Sequence, residues 1–152
     1  MKMSPQDKKL DEMLRSSQLV AGGFMGQDVR TATEIIESDA ATLQQCGVNA
    51  AMLAQRMHEL TAIAKEGLGT WVDADSGLRV MSEEYKGILV CPWGHAGHFD
   101  KRVTIVERIA TEQTLTWTDL NVHLIEAHGF FEGKGSAFRI EPEEAVRILF
   151  AK

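Results

Sequence analysis

Cys91-Pro92-Trp93-Gly94-His95-Ala96-Gly97-His98 and, further along, His123-Leu124-Ile125-Glu126-Ala127-His128 frame the part of the chain on which its fold and chemistry turn. The window from Cys91 to His128 holds four of the protein's five histidines and one of its two cysteines. Thiolate sulfur and neutral imidazole nitrogen are the donors zinc prefers, and a closed tetrahedral site takes four of them. Cys91, His95, His98, His123 and His128 are the candidate ligands, so one zinc ion is the expected cofactor.

The residues around these donors suggest how they meet. Gly87-Ile88-Leu89-Val90 is β-prone and delivers Cys91 at its end. Gly94 and Gly97 permit the tight backbone needed to turn several ligands inward, and Pro92 stiffens the entry. Strands are expected at Val103–Ile109 and Thr114–Thr118, linked by the polar stretch 110–113. Thr118-Asp119 then starts a helix with Leu120, Leu124 and Ala127 on one face, ending at Gly129. His123 and His128 are five residues apart, a rotation of about 140° on a regular helix. Both rings reach one ion only if the last turn loosens.

This order of strands and a helix bearing paired histidines locally resembles small zinc fingers, over fewer than 40 residues. It departs from them in having one cysteine followed by histidines, where fingers have two cysteines, and in a longer insertion. The run from His123 to His128 also approaches the inverted zinc-protease pattern H-x-x-E-H. It carries one residue too many, which turns the second histidine by about 100°, so it is not a match. Glu126 is read as a surface residue, the alternative being a general base near zinc-bound water.

Outside the window the sequence reads as helices first. Ser4 and Pro5 suit a helix start, with Leu10, Met13 and Leu14 as its stripe, running to about Val20. Asp28 and Arg30 read as a turn with a surface ion pair. Thr31 or Thr33 caps a second helix with Ile35, Ile36, Ala40 and Leu43 on one face. Asn49 caps a third with Leu53, Met57, Leu60 and Ala64, ended by Gly67 and Gly69. The short link predicts an antiparallel helical hairpin. Cys46 and His58 have no partner donors nearby in sequence and read as packing or surface residues. Trp71–Asp73 and Leu78–Met81 read as strands joined by a turn, and Ser82–Lys86 as a helical turn. Phe130-Phe131 are expected to fold back onto the core. Gly133-Lys134-Gly135-Ser136 lacks the spacer of a phosphate loop and reads as a tight turn. A last helix begins at Pro142, with Val146, Leu149 and Phe150 inward.

At 152 residues with 44% hydrophobic and 25% charged side chains, a single domain over 1–152 is expected. Its fold class is α+β: a mainly helical subregion over 1–68, then an α+β metal-binding subregion over 70–152. No run approaches the ~18 apolar residues of a membrane span, and Met1–Leu10 lacks a signal-peptide core. A cytoplasmic location is the expectation, with both cysteines reduced. The net charge is −6, divided as −4 over 1–90 and −2 over 91–152. No basic face is advertised, so nucleic acid is an unlikely partner; an unnamed protein or small molecule remains. The favoured function is a small soluble zinc-binding protein with a structural site and a binding or regulatory role. The alternatives are a zinc-dependent hydrolase with an open coordination position, and a metal-free α+β interaction domain. Cys91 as a nucleophile paired with His95 or His98 is a further reading, but a thiolate beside several imidazoles is at least as well explained by metal.

Overall fold

The computed structural model describes residues 4–150. It is a mixed α+β fold of five helices and a four-stranded antiparallel sheet among these residues. Ser4 accepts the Asp7 amide on its hydroxyl and Pro5 takes the first helical position, starting α1 (Pro5–Arg15). The helix ends at Arg15, short of the expected Val20. There the Ser16 hydroxyl donates to the Met13 carbonyl, and Arg15 gives its guanidinium to the carbonyls of Asp28 and Arg30, 2.6 Å from each.

α2 (Ala32–Gln45) opens with a capping box in which Thr31 and Glu34 serve each other's backbone amides. α3 (Ala50–Glu66) is capped by Asn49 and closes at Gly67. The sheet follows: β1 (Val72–Asp73), β2 (Leu78–Leu89), β3 (Phe99–Arg108) and β4 (Gln113–Thr118), neighbours in chain order. α4 (Asp119–His128) and α5 (Pro142–Leu149) complete the described chain. No helix among the described residues is long and apolar enough to cross a membrane.

β2 and β3 pair from Leu78 opposite Arg108 to Leu89 opposite Phe99, with an irregularity between Tyr85 and Ile88. Ser82–Lys86, expected as a helical turn, is therefore strand. Cross-strand partners decide the conformation here. Glu84 faces Arg102, which donates to it at 2.7 Å. The Cys91 loop is consequently the tip of one long hairpin.

The inner face of the sheet meets α3 and α5 in a core around Trp117, Leu53, Met57, Leu60, Val80 and Ile148. Trp117 is fully buried and its indole nitrogen donates to Thr61 Oγ1 at 2.9 Å, which satisfies the one polar atom of the largest core side chain. On α5, Ala145, Ile148 and Leu149 are buried, while Val146 and Phe150 pack against the same core half-exposed. A second cluster joins Leu14, Phe24, Met25 and Ile35 from the N-terminal part to Cys91, Leu120, Leu124 and Phe130. It is this cluster that carries the metal-site elements.

α2 and α3 share a short turn yet do not lie along one another as a hairpin pairing would require. α2 packs chiefly on α5, and α3 on α4 and β2. On α2 the inward position expected of Ala40 falls to Asp39, because Arg139 meets it with two hydrogen bonds of 2.6 and 2.9 Å. Ala127 of α4 is likewise exposed, and Ile125 takes the buried place.

Asp28 and Arg30 do pair, but Asp28 is buried. It accepts from Arg30 at 2.9 and 2.6 Å and from the Lys134 amide at 3.1 Å, which ties residues 24–28 to the 133–136 turn. The hydrogen bonds of Arg30 hold its carboxyl well below the usual carboxylate range. Gly133 donates to the Phe24 carbonyl, and a Cβ on it would run into the Met25 carbonyl. With the amides of Gly133, Lys134 and Ser136 engaged inside the protein, this segment is a turn and not an anion loop.

Candidate metal centre

The hairpin tip and the end of α4 build the centre. Cys91 follows β2 with its side chain buried, and its carbonyl accepts the Gly94 amide at 3.0 Å. Gly94 and Gly97 both take positive φ, 82° and 101°, and allow the loop to carry His95 back toward the helix. α4 starts on a capping box formed by Thr118 and Asn121. It ends where Gly129 turns left-handed, with its amide and that of Phe130 on the carbonyls of Ile125 and Leu124.

One nitrogen or sulfur from each of Cys91, His95, His123 and His128 lies within 4.8 Å of all the others. Cys91 Sγ is 3.4 Å from His128 Nε2, and His95 Nδ1 is 3.3 Å from His123 Nε2. Zinc–ligand bonds of about 2.0–2.3 Å set tetrahedral edges of about 3.4 Å between nitrogens and about 3.6 Å between nitrogen and sulfur. Two of the contacts already have that size. The group can hold a metal ion.

α4 stays regular through His128, so the loosening expected of its last turn does not occur. Both histidines instead present Nε2, the far ring atom, and their rings meet at 84° with centroids 5.6 Å apart. Aromatic neighbours hold these rings. Trp93 stacks on His128 at 4.1 Å and 11°, and Phe130 abuts Trp93 edge-on. Phe99 lies 4.6 Å from His123. Sequence reasoning assigned Trp93 and Phe99 no part in this, since nothing in their spacing shows which ring they will face.

Burial, and then the neighbouring His95 and His123, push the His128 imidazole down to about 4. Burial and His95 lower His123 as well. Both are therefore neutral donors near pH 7, the form a metal takes.

Of the five sequence candidates, His98 is exposed and lies outside the group of four. His58 is exposed on α3, with Nε2 3.3 Å from the Glu126 carboxylate. Cys46 is a half-buried free thiol at the end of α2. No protein-family model matches the chain, and no curated protein or solved structure matches it either.

Proposed function

We propose that the protein binds one zinc ion through Cys91, His95, His123 and His128, and that the ion pins the hairpin tip to the end of α4. The observation that carries this reading is the convergence of four donor atoms, from two separate elements, within 4.8 Å. Four protein ligands make a closed, structural site. The role is accordingly binding or regulatory, toward a protein or small-molecule partner, within one domain that the ion helps to hold together. A reducing compartment such as the cytoplasm keeps Cys91 available as a ligand, and the net charge of −6 disfavours nucleic acid.

A zinc hydrolase draws less support. It needs an open coordination position and a base, whereas four donors converge and Glu126 sits against His58.

Cys91→Ser and His123→Ala test the reading. Structural metal affinity is folding free energy, so each variant loses zinc and melts lower than wild type. An open catalytic site would instead lose activity and keep its stability. Variants that shed no zinc, or that melt like wild type, refute the proposal.

A further inference from the structure

Against the same hydrophobic cluster that holds Cys91, one cavity combines size, an apolar wall and a buried acid. It encloses about 500 Å³ between residues 19–24, the 132–138 loop and the β2–β3 pair. Leu19, Phe24, Leu89, Leu120 and Phe138 supply its apolar surface. Glu132 also lines it, although only 5% exposed. The backbone of Glu132 is left-handed, φ 70°, a conformation that residues with side chains seldom adopt.

The hydrogen bonds of Glu132 show what it lacks. One carboxylate oxygen accepts from Asn121 Nδ2 at 2.6 Å and the other from the Ser136 hydroxyl. Both donors are neutral, and each oxygen retains a lone pair. Arg139 gives its side chain to the Glu132 carbonyl and to the carboxylates of Asp39 and Glu141, not to the Glu132 carboxylate. Burial pushes the carboxyl up to about 7. Nearby, Arg102 is shared by Glu84, Asp100 and Asp119. Arg102 and Lys101 both line the cavity, and the charge of Arg102 is taken up by its own three carboxylate partners, none of which lines it.

We propose that this cavity binds a small primary amine with an apolar body, its ammonium donating to Glu132 and its hydrocarbon part lying on Phe24, Leu89 and Leu120. A cleft of a few hundred Å³ with a mostly apolar wall and one placed charge is the usual form of a small-ligand site. A buried acid whose hydrogen-bond donors are both neutral gains from a ligand that brings a charged donor and its own apolar shell. The cavity is lined by none of the four metal donors.

The test is calorimetric titration of the 152-residue protein with hexylammonium, alongside hexanol and hexanoate. Saturable binding of hexylammonium in preference to both controls is expected. Glu132→Gln should weaken it at least about tenfold, the effect of one charged hydrogen bond, with folding checked by thermal melting. Val20→Trp puts a bulky ring on the cavity wall and should weaken binding too, which decides the matter if Glu132→Gln fails to fold. Absence of saturable binding, equal binding of hexanol, preference for hexanoate, or full affinity in a folded Glu132→Gln variant or in Val20→Trp overturns the proposal.

Discussion

Glu132 imposes a charge cost on the folded state that can be measured without any ligand. Its carboxyl is raised from 4.5 to about 7, chiefly by burial, against the opposing pull of Ser136, Asn121 and Arg139. In the unfolded chain the group returns to the ordinary glutamate range. Between those values the folded state holds the proton more tightly. The contribution of the protonated acid to stability is thus complete below about pH 4.5 and is lost as pH rises through 7. Raising the carboxyl from 4.5 to about 7, at 1.36 kcal/mol for each tenfold gain in proton affinity, corresponds to about 3 kcal/mol. Glu132→Gln keeps the size of the side chain and cannot ionise. Urea denaturation of both proteins from pH 4.5 to 8 isolates the effect, since every other titrating group is common to the pair. Wild type should lose about 3 kcal/mol relative to the variant over this range. A difference that stays flat, or one that grows in favour of wild type as pH rises, would refute the burial argument.

Two further substitutions probe the tertiary locks. Asp39→Asn leaves the Arg139 guanidinium, 7% exposed, facing a neutral amide. Because Glu141 remains as a second partner at 3.2 Å, the loss in urea denaturation should fall near the lower end of the range for a broken buried pair, about 3 kcal/mol. Gly133→Ala forces a methyl against the Met25 carbonyl and should cost about 1–3 kcal/mol by overpacking, visible as a lowered melting temperature. Wild-type stability in either variant would show that the corresponding contact does not stabilise the fold.

Local signals in the chain located most element starts and stops. Ser4, Thr31, Asn49 and Thr118 each cap the helix they precede, and Gly129 turns left-handed at the end of α4. These depend on side-chain-to-backbone chemistry within three residues, which composition displays directly. The errors arise where distant residues decide. Ser82–Lys86 is strand because β3 lies opposite it, and α1 stops early because Arg15 finds carbonyls beyond the next turn. Asp39 turns inward for an arginine 100 residues away, and Glu132 is buried by a loop interlock that no local pattern announces. The donors of the candidate centre were visible as residue types at a suggestive spacing. Which of them converge was not, because the conformation of the loop between β2 and β3 brings His95 to the end of α4 and leaves His98 outside the group.

The most direct measurement is elemental analysis of untagged protein purified without chelator, expressed as metal per chain and repeated for His95→Ala, His98→Ala and Cys91→Ser. The account predicts about one zinc per chain, retained when His98 is removed and lost with Cys91 or His95. Folded wild-type protein that carries no zinc and takes none up, or a requirement for His98 equal to that for His95, would contradict it.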